Sequence, residues 1–394
     1  MDLPGRKLSS QRERVLGVYP PLLAQFMPDY GPLTRVIGTQ TRLPKLGRGH
    51  TAVLVVTFLV TLLPSCRKRE VPLRASATGN ANASSAAPLV AETGSGEDLS
   101  ALEVSPWLPP YVAPEVKGFD LTKTPTLYIV NYAHLDTQWR WSFPQTIDEL
   151  LPYTVHRNVQ YFDRFPSHVF SWTGASRYQM IQEYYPEDFQ LIQEWVKKGR
   201  WFPAGNQWEE CDVLVPSSES ILRQILVGSQ FFKREFGTSS QEFMLPDSFG
   251  FPASLPSLLA HAGLRGFSTQ KLTWQSAVGI PFNLGRWTGA DGRGVIAALN
   301  PGGYGAVHRE NLSTSKAWLK RLEQNASAGR LKVDYLYNGT GDIGGAPHEI
   351  SMKTIESSLK TQGPIKVKVG PADLMFREIS DAQAAHLPAY QGDL

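Results

Sequence analysis

Two cysteines, Cys66 and Cys211, are all that 394 residues contain. So sparse a supply excludes a disulfide-stapled scaffold and any cysteine-rich metal module. Long apolar runs are equally scarce. The stretch Ala52–Leu63 holds about a dozen residues, where a spanning helix needs ~20. Neither sign of charge dominates, since 39 Lys and Arg face 36 Asp and Glu for a net +3. Lys and Arg exceed Asp and Glu by seven over residues 1–70, which leaves the remainder at −4. A mildly acidic body behind a basic leader argues against nucleic acid as the main partner. No internal repeat is found, which removes solenoids and propellers. What is present is 42% hydrophobic and 11% aromatic residues, enough for a large buried core and too much for a disordered chain.

The first hundred residues are organised differently from the rest. Arg42, Lys45 and Arg48 precede the short apolar segment, and Leu63-Pro64-Ser65-Cys66 follows it. Basic stretch, short apolar core and small residue is the order of an export signal. With a cysteine next, it resembles a bacterial lipoprotein signal, with Cys66 as the lipidated residue and membrane tether. Residues 71–105 are rich in Ala, Ser, Gly and Thr without apolar periodicity, the composition of a flexible spacer. The expected organisation is a basic leader over 1–70 with a signal-like segment at 51–66, a linker over 71–105, and a catalytic domain over 106–394. The expected location is outside the cytoplasm, periplasmic or anchored as a bacterial lipoprotein.

Beyond Pro106 strands alternate with helices. Thr126–Ala133 is a near-continuous apolar run, as in a strand covered on both faces. Further strands are expected at Val169–Trp172, Arg200–Pro203, Phe243–Leu245, Gly266–Ser268, Val295–Leu299, Val333–Tyr337 and Ile365–Val369. Helical periodicity marks Thr146–Asp163, Ser176–Tyr185, Asp188–Lys198, Ser218–Phe236, Ser315–Gln324 and Glu349–Leu359. Repeated βα units of this length imply an α/β fold with parallel strands, and about seven of them suit a (β/α) barrel.

Three motifs follow predicted strands directly, at the strand ends where parallel α/β folds gather catalytic groups. They are His134-Leu135-Asp136, Pro246-Asp247-Ser248-Phe249-Gly250 and Gly341-Asp342. His134 and Asp136 leave their strand at alternate positions, so both can face one side, and an imidazole with a carboxylate suits a divalent ion such as zinc. Asp247 lies seven residues before a helix starting near Ser254, too far to cap it. The stretch Gly339-Thr340-Gly341-Asp342-Ile343-Gly344 spells G-x-G-x-x-G, but no helix opens at its last glycine and Asp342 sets a negative charge where a pyrophosphate belongs. A dinucleotide loop is therefore disfavoured, and the glycines are read as allowing close approach of a sugar to the backbone.

Taken together, the stretches AHLDTQW, GRWFPAGNQWEECDVLVPSSESILRQ, LPDSFGFPASLPSLLAHAGLRGFSTQKLTW, RWTGADGRGVIAALNP and GTGDIGGAP resemble glycoside hydrolase family 38, the retaining α-mannosidases, over roughly Leu127–Leu394. The resemblance implies zinc ligands at His134, Asp136 and Asp247, with Asp247 also the nucleophile and Asp342 the acid/base. It also implies sugar contacts from Trp139 by stacking and from Asp212. The implied reaction is zinc-dependent hydrolysis of terminal α-D-mannosides with retention, in glycan or oligosaccharide degradation. In that family a helical bundle and β-sandwich domains follow the barrel, and a further histidine completes the zinc site. This chain reaches Leu394 before that region, so those domains are expected to be largely absent, and His386 stands in the wrong context to replace that histidine.

Two other readings compete. A metal-dependent polysaccharide deacetylase also sets His and Asp at strand ends, but such enzymes use an H-x-x-x-H pair that this sequence lacks. A non-catalytic carbohydrate-binding remnant keeps the pocket without turnover, and zinc affinity together with activity on an aryl α-mannoside separates it from an enzyme.

Overall fold

The computed structural model describes residues 120–394. The basic leader, the segment 51–66, Cys66 and the linker 71–105 lie outside the described residues.

Ten strands occur in the order β1 Thr126–Ala133, β2 Phe170–Trp172, β3 Trp201–Pro203, β4 Glu242–Met244, β5 Gly266–Ser268, β6 Leu284–Thr288, β7 Gly294–Ala298, β8 Val333–Thr340, β9 Lys366–Val369 and β10 Ala389–Gln391. They form two five-stranded sheets. One runs β3-β2-β1-β8 with β9 also paired to β1, and the other runs β10-β6-β7-β5-β4. No ladder joins the two sheets among the described residues. All pairs are parallel except β6 with β7. The expected α/β class holds, with ten strands among the described residues.

The antiparallel pair has a local cause. Asp291-Gly292 forms the turn between β6 and β7, with Gly292 at φ +78° and Asp291 Oδ1 accepting from Arg293 N at 3.0 Å. A tight Asp-Gly turn reverses the chain within a few residues and leaves no room for a parallel crossover.

β1 is the organising strand. Its eight residues are all buried, and it matches β8 residue for residue from Thr126↔Val333 to Ala133↔Thr340. Leu127 and Ile129 pack with Leu336, Leu322, Ile355 and Val367 against the helices Lys316–Gly329 and Glu349–Lys360. The second sheet covers Phe243, Leu245, Phe267, Trp287 and Val295, together with Leu255 and Leu259 of the helix Leu255–His261. Each such side chain, fully buried, contributes roughly 1.5–3 kcal/mol. The helix Ser218–Phe236 matches its expected bounds because both ends are encoded. Ser217 accepts from Ser220 N at the start, and Gly237 takes φ +70° at the end.

Candidate active site

The ladder between β1 and β8 does not stop where the strands do. His134 N donates to Thr340 O at 2.9 Å, Asp136 N to Asp342 O at 2.9 Å, and Gly344 N to His134 O at 2.8 Å. These backbone bonds lock the His-x-Asp segment against the Gly-Asp segment. The close contact needs glycine at two places. A Cβ on Gly339 would stand 2.3 Å from Tyr132 O, and one on Gly341 would stand 2.4 Å from the Tyr304 ring. These two glycines therefore serve strand-to-strand and ring packing within the protein, where the sequence suggested approach to a sugar.

Asp247 arrives from the other sheet. Leu245 N donates to Ser268 O at 3.0 Å at the end of the β4–β5 ladder, and Asp247 follows two residues later. It does not cap the helix Leu255–His261, whose N-cap is Ser254. The two sheets thus meet at their strand ends with one donor atom each from His134, Asp136, Asp247 and Asp342, all within 4.8 Å of one another.

His134 is buried, with Nε2 3.1 Å from Asp247 Oδ2 and 3.4 Å from Asp136 Oδ1, yet Nε2 makes no hydrogen bond. A buried nitrogen aimed at two carboxylates calls for a cation between them, either a proton or a metal ion. Burial pushes the His134 pKa down, but Glu210, Asp136 and Asp247 pull it well above the ordinary value. One nitrogen with several carboxylate oxygens fits a borderline divalent ion. For Asp247, burial raises the pKa, and His134 and Lys271 outweigh it to hold the group below the usual carboxylate range.

Several neighbours escaped the sequence reading. Lys271, only 4% exposed along its side chain, pairs with Asp247 Oδ1 and sits 3.6 Å from the centre of the Trp274 ring. The Tyr304 hydroxyl donates to Asp342 Oδ1 at 2.7 Å and lies 3.2 Å from Asp247 Oδ2. Burial first, and then the adjacent carboxylates, raise the Tyr304 pKa far above the usual tyrosine range. Glu209 and Glu210 follow β3 and converge on the buried Arg177. Arg177 NH2 lies 2.8 Å from Glu209 Oε1, and NH1 lies 3.7 Å from Glu210 Oε1. Burial pushes Glu210 up, but His134 and Arg177 bring its pKa down to about 2. The signal for this pair was available, because β3 is a further strand end followed by adjacent carboxylates.

An open cleft of about 240 Å³ is lined by His134, Asp136, Asp247, Glu209, Glu210, Arg177, Thr137, Gln138 and Ser248. Trp139 stands 53% exposed on the loop after β1, stacked under the Arg140 guanidinium at 4.1 Å, so it is not a core tryptophan. Asp212 is exposed, and its Oδ1 accepts from Leu214 N at 2.6 Å, forming a turn. Neither residue is among those lining the cleft. Cys211 is a free thiol whose pKa burial pushes up to about 11, so it carries no thiolate near neutrality.

Residues 124–393 match the family model of the glycosyl hydrolases family 38 N-terminal domain. The chain is 32% identical over 268 residues to alpha-mannosidase G of Dictyostelium discoideum, covering 68% of this chain and 24% of that protein. It is 31% identical over 270 residues to human alpha-mannosidase 2C1, covering 68% of this chain and 25% of that protein. The chain thus spans about a quarter of the length of these relatives. Among solved structures, an alpha-mannosidase from Enterococcus faecalis V583 superposes with a TM-score of 0.54 at 19% identity, over 69% of this chain and 31% of that one. That likeness bears on the fold.

Proposed function

The chain belongs to glycoside hydrolase family 38 through its N-terminal domain, and from that premise we propose that it hydrolyses terminal α-D-mannosides with retention of configuration. The observation that carries the reading is the cluster of His134, Asp136, Asp247 and Asp342 within 4.8 Å, assembled from the ends of both sheets. His134 Nε2, Asp136 and Asp247 are the residues proposed to hold zinc. When bound, the ion supplies Lewis-acid charge and a grip on vicinal sugar hydroxyls.

The carboxylates divide the work. Retention needs two carboxyl groups about 5–5.5 Å apart, whereas inversion needs roughly 6.5–9.5 Å to admit a water. Asp247 and Asp342 bring an oxygen each within 4.8 Å of one another, and the Tyr304 hydroxyl touches both, an approach compatible with the first. Asp247, held ionised beside Lys271, attacks the anomeric carbon as the glycosidic bond breaks, and Asp342 gives its proton to the departing oxygen. A water then attacks the same carbon, passes its proton to Asp342, and frees Asp247. Trp139 is proposed to stack on a sugar face, and Asp212 to contact a hydroxyl through the oxygen not engaged in its turn. The proposal also includes export, with the apolar segment before Cys66 as signal and Cys66 as lipid anchor.

The test is release from an aryl α-mannoside by the full chain, with zinc or with chelator, beside Asp247→Asn. Zinc-dependent release abolished in Asp247→Asn is expected. Release that survives the substitution overturns the assigned nucleophile. Mannoside binding with no release in any condition indicates a carbohydrate-binding remnant instead.

A further inference from the structure

Glu210 has no part in the chemistry above, yet it is nearly buried, with a side chain 6% exposed. Its Oε2 lies 3.1 Å from His134 Nδ1, the ring nitrogen on the far side from the carboxylate cluster. Its Oε1 accepts from the Tyr132 hydroxyl and from Thr173 Oγ1. Behind it the Arg177 guanidinium is fixed by donation from NH1 to Thr173 O at 3.0 Å and from NH2 to Leu135 O. So the carboxylate is anchored from three sides before it reaches the histidine.

The hydrogen count decides what Nδ1 carries. The Tyr132 oxygen is also 3.0 Å from Nδ1, but its one proton is committed to Glu210. Toward Nδ1 the tyrosine can therefore only accept. Glu210 Oε2, 3.1 Å from Nδ1, is likewise an acceptor, and it is a buried oxygen with no hydrogen-bond partner elsewhere to satisfy it. Both neighbours of Nδ1 are acceptors, so Nδ1 keeps a proton, and Nε2 is the nitrogen whose place toward the carboxylates is open to either a second proton or a metal ion. Nε2 faces Asp136 and Asp247.

We propose that Glu210 is a positioning residue that fixes the ring orientation and tautomer of His134, so that Nε2 is the nitrogen presented to the metal. A carboxylate behind a metal-bound histidine holds the ring against rotation and raises its basicity, and loss of such a partner costs about ten- to a hundredfold in metal affinity. The inference rests on the metal site proposed above but reaches a residue that no sequence motif singled out.

The experiment is a zinc titration of the full chain against a chromophoric chelator, for wild type, Glu210→Gln and Glu210→Asp, with circular dichroism recorded on each. The Gln variant keeps the size and removes the charge. The Asp variant keeps the charge but draws it back from Nδ1 by one methylene. A loss of about ten- to a hundredfold in zinc affinity is expected for both. Wild-type affinity in Glu210→Asp alone would mean that charge suffices and would overturn positioning, as would wild-type affinity in both. A second measurement needs no variant. In zinc-loaded wild type labelled with ¹⁵N-histidine, the ring whose nitrogen shifts on zinc binding is expected to keep its proton on Nδ1. Zinc on Nδ1 overturns the proposal even if both variants fail to fold. A wild-type chain that takes up no zinc sinks the metal reading beneath it, an outcome distinct from wild type binding while both variants bind equally.

Discussion

The Tyr304 hydroxyl donates to Asp342 Oδ1 at 2.7 Å, and the same oxygen stands 3.2 Å from Asp247 Oδ2. One phenol thus spans the two carboxylates assigned to the reaction, and it sets where Asp342 points. Hydrogen bonds to charged groups contribute about 1.5–3 kcal/mol. Tyr304→Phe should therefore lower kcat by roughly ten- to a hundredfold, with KM changed less. Steady-state kinetics on an aryl α-mannoside reads this directly. An unchanged kcat would remove Tyr304 from the account.

His168 gives a pH prediction for stability. It is buried in a polar chain in which Nδ1 accepts from Asn131 Nδ2 at 3.0 Å and Nε2 donates to Asn158 Oδ1 at 3.1 Å. Asn158 in turn donates to Gly345 O at 2.8 Å, and Asn338 to Asn131 Oδ1 at 2.7 Å, which ties the network to the loop carrying Asp342. Burial, and then the nearby Arg200 charge, push the His168 pKa down to about 3. Below its ordinary value of about 6.5 the unfolded chain takes a proton that the folded chain refuses until about pH 3. The stabilisation is complete above about 6.5 and declines as pH falls through that window, by at most about 1.4 kcal/mol per pH unit. Urea midpoints of wild type and His168→Gln, compared at about pH 4 to 6.5, should show a shallower pH slope in the variant. Equal slopes would mean that His168 titrates normally.

Much of this was legible in the chain, and the rest was not for identifiable reasons. β1 is announced by a continuous apolar run and the helix Ser218–Phe236 by periodicity and caps, while β8 was expected only to Tyr337 and runs on to Thr340. The three motifs His134-x-Asp136, Asp247 and Asp342 stood out because each follows a strand. β6 and β10 went unread: β6 carries Gly285 and Arg286 within five residues, and β10 is three residues of mixed exposure. Neither has a pattern of its own, and pairing with β7 and with each other defines them. Lys271, Tyr304 and Arg177 become site residues only through contacts between segments far apart in the chain. Residue-level patterning does not carry such contacts. The Gly-rich loop was legible as a close approach, but what it approaches is Tyr132 and Tyr304.

Zinc should stabilise the fold as well as activate it. Ligand at a hundredfold excess over Kd adds about 2.7 kcal/mol to a site formed only in the folded state. At about 2–4 °C per kcal/mol, the melting temperature of the full chain should rise by roughly 5–10 °C on adding zinc and return with chelator. A chain carrying both Asp136→Asn and Asp247→Asn should show no zinc-dependent shift. A shift that persists in it would place the ion elsewhere.

Export and lipidation are testable apart from catalysis. In a bacterial host, labelled palmitate should enter the wild-type protein and send it to the membrane fraction, and Cys66→Ser should abolish both. Label retained by Cys66→Ser would refute Cys66 as the anchor.

Asp212 offers a prediction in which two substitutions separate two jobs. Its Oδ1 accepts from Leu214 N at 2.6 Å and lies 3.4 Å from Val215 N, which holds the turn leading into the helix Ser218–Phe236. Asn supplies the same acceptor oxygen, so Asp212→Asn keeps the turn and removes only the charge. Asp212→Ala loses both. If the carboxylate contacts a sugar hydroxyl, Asp212→Asn should raise KM several-fold with kcat held, because a charge-assisted hydrogen bond is roughly twice as strong as a neutral one. If the residue serves the turn alone, Asp212→Asn should match wild type, while Asp212→Ala lowers stability by about 1 kcal/mol. Kinetics and melting curves on the two variants decide between a residue that meets substrate and one that shapes the loop beside it.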